Sequence, residues 1–198
     1  MKYIWLGTYF SVLLWSVIAP KDMFTWVLEA APALIGFLLL SLSYKKFPLT
    51  PLLYTLILIH MIILMVGAHY TYAEVPLFDM IKEMFHQTRN NYDKLGHFAQ
   101  GFMPAILARE LLLRLEVIKA SKVWLNYIII SIVLAFSAFY ELIEWWVALA
   151  TGEGAEAFLG TQGYIWDTQS DMMYALIGGI TALLFLSHWH DKQLKKFL

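Results

Sequence analysis

The sequence contains no cysteine, and that absence removes a disulfide framework, a thiolate metal site and a cysteine nucleophile together. Charge is sparse as well: Asp, Glu, Lys and Arg make up 15% of the 198 residues and sum to −1, so no basic surface is available for nucleic acid. Any chemistry therefore rests on carboxylates, imidazoles, hydroxyls or amides. What is abundant is apolar. Hydrophobic residues are 60% of the chain and the mean hydropathy is +0.63, outside the balance of a soluble domain. Repeats, low-complexity tracts and a boundary to a second domain are also missing, so residues 1–198 read as a single integral membrane domain.

A hydrocarbon core about 30 Å thick calls for about 20 apolar residues of helix, because lipid offers no partner for an unpaired backbone amide. Six stretches predict such spans: Tyr3–Ala19, Phe24–Ser43, Leu52–Tyr70, Leu95–Leu113, Val123–Ala150 and Met172–Trp189. The expected fold is an all-α, polytopic bundle of six transmembrane helices. Pro48 and Pro51 punctuate the turn between the second and third spans, and the fifth is long enough to tilt or to begin as an interfacial segment. The first stretch follows Lys2 like a signal peptide, but no small-x-small cleavage site with a hydrophilic mature chain comes after it, so it reads as a retained span.

Lysine and arginine positions set the expected orientation. With both termini cytoplasmic, the inner segments hold ten: Lys2; Lys45 and Lys46; Arg109, Arg114, Lys119 and Lys122; and Lys192, Lys195 and Lys196. The outer segments hold four, Lys21, Lys82, Arg89 and Lys94. The bias places both ends inside, in a bacterial-type inner (plasma) membrane. Trp5, Tyr70, Tyr72, Trp124 and Trp166, near span ends, are expected in the interfacial aromatic belt.

In that topology the acidic residues converge on the outer side. Asp93 and His97 are four apart and share a helix face, continued by Gln100 and Pro104, so a carboxylate can orient an imidazole. Glu141 and Glu144, three apart, fall near the outer end of the fifth span, and an acid inside a span costs about 2.5 to 3.5 kcal/mol unless it meets a partner or a cavity. Asp167 and Asp171 are again four apart at the start of the sixth span. Five acids in a poorly hydrated site cannot all ionise alone, so some are protonated, paired with Lys94 or Arg89, or bound to a metal. Asp93, His97, Glu141, Glu144, Asp167 and Asp171 are thus candidate ligands for Mg²⁺, Mn²⁺ or Zn²⁺, with His69 as a second imidazole, although no tight signature such as His-Glu-x-x-His is present. Asp93, His97, Glu141, Glu144 and Asp171 are the candidate catalytic set.

Simpler readings stand beside these. Asp93, Asp167 and Asp171 each suit a helix N-cap, His97 alone suits a satisfied bundle histidine, and Glu29 and His60 suit interhelical hydrogen bonds. The loop Thr151–Ser170, with four glycines and the apolar Phe158, Leu159, Ile165 and Trp166, reads either as a re-entrant or lid-like cap or as an ordinary packed loop.

At Asp93-Lys94-Leu95-Gly96-His97-Phe98, at Glu141-x-x-Glu144 and at the segment WDTQSDMMYALIGG, the chain resembles the YjdF-like inner-membrane proteins, a family defined as a domain of unknown function, through nearly its whole length. The same segments are more distantly similar to the VanZ-like superfamily, whose pattern is Asp-Lys-x-x-His-Phe, then Glu-x-x-Gln, then an Asp followed seven residues later by Gly. Asp93, Lys94, His97 and Phe98 match the first, Glu141 the second, and Asp171 with Gly178 the third. Glu144 stands where VanZ-like proteins have Gln, and no Arg lies between Lys122 and Lys192 to fill the basic position of their outer loop. The resemblance implies membrane and envelope context and supplies no enzyme class.

Three functions are compatible with these residues. One is a membrane-embedded hydrolase or transferase acting on a lipid or lipid-linked envelope substrate, with Asp93 and His97 as an oriented acid/base pair. Another is a non-catalytic envelope protein or an ion or proton transporter using the same acids. The third is a structural membrane protein whose polar cluster locks helices together.

Overall fold

The computed structural model describes residues 2–152, 156–159 and 161–197. Every regular element among them is helical: α1 (Lys2–Val17), α2 (Met23–Ser43), α3 (Pro51–Tyr70), a 3₁₀ turn (Tyr72–Glu74), α4 (Pro76–Met84), α5 (Tyr92–Arg114), α6 (Lys122–Thr151), α7 (Glu156–Leu159) and α8 (Asp167–Leu194).

Local chemistry sets several of these boundaries. Asp22 accepts a hydrogen bond from Thr25 N at 2.9 Å to start α2. Thr50 caps α3 through Leu53 N, with Pro51 at the first helical position, where no N–H is missed. Gly152 closes α6 at a φ of +64°, a conformation that favours glycine.

Four helices, α2, α3, α6 and α8, are long and apolar enough to cross a membrane. The six stretches read from sequence correspond to six helices, but two of these do not qualify, α1 by length and α5 by composition. Helix α1 has only 16 residues. Helix α5 carries Asp93, Lys94, His97, Arg109, Glu110 and Arg114, all buried except the half-buried Arg114. The reason is position: α5 is the central helix, packed on α8, α3 and α6, so protein rather than lipid surrounds it. Helix α2 packs on α3, α1 also docks on α3, and α6 packs on α8.

The α5–α8 crossing is the most extensive and is built from small residues. A Cβ on Gly101 would collide with the Ala175 carbonyl, and one on Gly178 with the Phe98 carbonyl, so the two backbones touch. Elsewhere the core is aliphatic and aromatic, with Leu53, Met65, Ile106 and Ile129 inaccessible. Tyr9 stacks on Phe37 at 4.6 Å, and Trp5 Nε1 donates to Tyr54 O at 2.8 Å; that bond anchors α1, so Trp5 is packed rather than a free belt residue. Trp124 and Trp166 are exposed, as a belt requires.

Helix α4 was not foreseen. Its exposed Leu77, Met80 and Met84 fall on one stripe, the pattern of a helix lying in the membrane interface. Because the long helices alternate in direction, both described chain ends lie at one end of the bundle. The start of α5, the end of α6 and the start of α8 meet at the other.

Candidate functional site

Three helix ends bring the charged side chains together. From α5, Asp93 Oδ1 lies 3.3 Å from His97 Nε2, the geometry expected of an i,i+4 pair. From α8, Asp171 Oδ1 is 3.8 Å from the same nitrogen, and from α6, Glu141 Oε1 is 3.7 Å from His97 Nδ1. Gln100 Oε1 stands 3.0 Å from Nδ1 and fixes the ring from below. Oxygen acceptors therefore face both ring nitrogens, so His97 is held by four residues from three helices.

Behind the imidazole the acids meet fixed cations. Lys94 Nζ donates to Asp167 Oδ1 and to Asp171 Oδ1, both at 2.6 Å, and Arg89 Nη1 donates to Asp167 Oδ1 at 2.5 Å. Arg89 also sits 3.6 Å from Asp93 Oδ2. The Tyr164 ring lies over both cations, at 5.6 Å from Arg89 and 5.8 Å from Lys94. Asp93, Lys94, His97, Glu141, Asp167 and Asp171 are all at most 8% exposed. Capping is not their role. The N-cap positions of α5 and α8 are Asn91 and Trp166, and the Asp167 carboxylate is held by Arg89 and Lys94.

This cluster forms one end of an apolar cavity of about 900 Å³ that runs between α2, α3, α5 and α6. Glu29, Tyr72, Asp93, His97, Tyr140 and Glu144 line its polar end, and residues such as Leu39, Leu107 and Leu111 line the rest. Phe158 of α7, 6% exposed, lies against the same cavity, whereas Tyr164, Ile165 and Trp166 of the Thr151–Ser170 loop are exposed. Glu153, Gly154, Ala155 and Gly160 of that loop lie outside the described residues. Gln162 ties the loop to the start of α5, accepting from Asn90 N at 3.0 Å and donating to Asn90 O at 2.8 Å.

Several sequence expectations are corrected here. His69 is not a further ligand: its Nδ1 is 3.1 Å from Ser16 O and its ring lies tilted against Trp15 at 4.3 Å, which ties α3 to α1. Tyr72 is not a belt residue but lines the cavity, its ring filling the space beside Gly67 and Gly96. Glu29, expected in an interhelical hydrogen bond, accepts instead from the 3₁₀ turn after α3. One oxygen is 3.5 Å from Tyr72 N, and Oε2 has no hydrogen-bond partner among the described residues. His60 lines the cavity midway along α3.

A family model described as "Predicted membrane protein (DUF2238)" matches residues 1–192. The chain belongs to this membrane-protein family. It is 50% identical over 186 residues to "Inner membrane protein YjdF" of Escherichia coli (strain K12), an alignment that covers 94% of this chain and 88% of that protein. No solved structure matches. This DUF2238 protein is thus a multi-pass protein of the inner membrane, with four helices among the described residues long and apolar enough to cross it.

Sequence reading missed a second charge cluster in this DUF2238 chain, at the opposite end of the bundle and built around the buried Glu110 and His190. Glu110 accepts from Thr50 N at 3.0 Å, Thr50 Oγ1 at 2.7 Å and Arg114 Nη1 at 2.7 Å, and it meets His190 Nε2 at 3.0 Å. Arg109 lies 3.1 Å from His190 Nδ1 and donates to Asp191 at 2.5 Å. Two acids thus face two arginines and a histidine, and every carboxylate has a partner.

Proposed function

We propose that this chain is a membrane-embedded hydrolase or transferase acting on a lipid or lipid-linked envelope substrate at the carboxylate and imidazole end of the cavity. The observation that supports this is a charge imbalance beside an apolar chamber. Five acids, Asp93, Glu141, Glu144, Asp167 and Asp171, share this end with two permanent cations, Arg89 and Lys94, and with His97, whereas in the opposite cluster Glu110 and Asp191 are matched by Arg109, Arg114 and His190. A purely structural lock is expected to resemble the second, because an uncompensated buried carboxylate costs several kcal/mol, on the order of the single-ion desolvation penalty. Excess acid at the mouth of a cavity is the arrangement of a site.

In this reading Asp93 and Gln100 fix the imidazole, Glu144, which lines the chamber, takes the proton of the attacking water or hydroxyl, and protonated His97 gives one to the leaving group as its bond breaks and is recharged from Glu141. A divalent metal fits the same donors. One ligand atom each from Asp93, His97 and Asp171 lie within 4.8 Å of one another, and an oxygen-rich set with one imidazole suits Mg²⁺, Mn²⁺ or Zn²⁺. A metal there would stabilise developing negative charge on the substrate, and Lys94 would keep Asp167 as its partner.

The topology that serves this reaction has six membrane-crossing helices and both termini in the cytoplasm. The exposed Lys2, Lys45, Lys46, Lys119, Lys122, Lys192, Lys195 and Lys196 at the end opposite the site support it, since at the site end only Lys21 is exposed and Lys82 is half-buried. The site then opens to the outer leaflet. Transport is less well supported. Between Gln100 and Arg109, about 14 Å along α5, that helix offers no titratable group, and His60 is the one imidazole among the described residues that lines the cavity away from the acids. The test is a comparison of lipid profiles from cells lacking the protein and cells given back either the parent or Glu144→Gln. The expected result is one lipid species restored by the parent alone; restoration by both would remove Glu144 from the reaction.

A further inference from the structure

The cavity carries more information than its volume. Among the described residues no lysine or arginine lines it, because Arg89 and Lys94 lie behind the cluster and bond Asp167 and Asp171. Three carboxyls do line it, Glu29, Asp93 and Glu144. Glu29 stands on the α2 wall, 2% exposed, with Oε2 lacking any hydrogen-bond partner among the described residues. A buried carboxyl oxygen left open in this way costs free energy unless something donates to it. Phosphate meets no fixed cation here, whereas an ammonium meets carboxyls from α2, α5 and α6.

The apolar remainder fixes the other half of the occupant. Along α2 the lining runs from Glu29 to Ser43, about 21 Å at the helical rise. That exceeds the depth of one leaflet, about 15 Å as half of the hydrocarbon core. Helices α2 and α6 form its two flanks, and each packs elsewhere, on α3 and on α5 with α8. Because lipid tails are as apolar as the cavity wall, chain insertion gains little, and the headgroup decides what is retained.

We infer that the cavity takes a lipid with an extended hydrocarbon chain and a primary-amine headgroup, the ammonium donating to Glu29 and to the Asp93 and Glu144 carboxylates. This rests on the proposed lipid-directed function and names its substrate class.

The test uses the full-length protein in detergent micelles with a photoreactive long-chain primary amine carrying a diazirine near the chain end. Labelled peptides should map to the lining around Leu107 and Leu111. A same-length amine should compete at least ten-fold better than the matching alcohol or phosphate monoester. Glu29→Gln should erase that ten-fold preference. Leu107→Trp, which fills the slot, should abolish labelling, and both variants should keep the parent's melting temperature. Should Glu29→Gln fail to fold, the preference for amine over phosphate in the parent and the loss in Leu107→Trp decide the matter. Competition by the phosphate equal to that of the amine, with or without Mg²⁺, or labelling confined to outward residues such as Leu38 and Leu184, would overturn the inference. Amine binding without turnover contradicts only the reaction; turnover of an amine-free lipid contradicts only the substrate class.

Discussion

Glu110 has no accessible surface and accepts from Thr50 and Arg114 while meeting His190, so replacing it removes a partner from the buried Thr50 and His190 and from the half-buried Arg114 at once. Glu110→Ala is expected to lose about 3 to 5 kcal/mol, the range for breaking one side of a buried charge pair. Glu141 differs: its Oε1 makes no hydrogen bond among the described residues and lies 3.7 Å from His97 Nδ1. Glu141→Gln and His97→Gln should therefore stay within about 2 kcal/mol of the parent, an ordinary single-mutation effect, while the cellular role is lost. Thermal unfolding in one detergent compares the three; a Glu141→Gln protein as unstable as Glu110→Ala would make the site end a structural lock. Sequence showed the Asp93–His97 pair because it lies within one helix, where spacing dictates proximity. It could not show Glu110 with His190, which belong to different helices. Arg109 and Arg114 counted only as topology charges until their buried partners were located.

At the scale of the helix, the closeness of α5 and α8 positions Asp171 against His97. Gly178→Leu places a side chain where the Phe98 carbonyl sits, so the helices must separate and carry Asp171 away from the imidazole. The expected cost is about 1 to 3 kcal/mol for overpacking, accompanied by loss of function. Gly7→Leu, with nothing near its added carbon, should change neither property. Membrane insertion assays and melting curves read the difference; equal behaviour of the two variants would contradict the close crossing. Long apolar runs made α2, α3, α6 and α8 legible as membrane helices. Helix α5 was legible as a helix but not as the buried axis of the bundle, since its polar residues are tolerated only because other helices surround it. The short α4 escaped notice because nine residues carry too weak a periodic signal beside helices twice as long.

For the whole molecule, alternating helices put the Lys45–Lys46 and Lys119–Lys122 turns at one end and the Gln87–Arg89 segment at the other. The absence of cysteine makes this directly measurable, because single cysteines can be introduced without background. With an impermeant thiol reagent on intact cells stripped of their outer membrane, Gln87→Cys should label and Lys45→Cys should label only after lysis; the reverse pattern would invert the proposed orientation. The central claim is that the acid-rich end of the cavity acts on a lipid. Its most direct measurement is mass spectrometry of vesicles made from the cell's own extracted lipids, before and after incubation with purified protein. The parent is expected to convert one lipid species into another and folded His97→Gln to leave the mixture unchanged; an unaltered mixture with the parent, or equal conversion by His97→Gln, would contradict the claim.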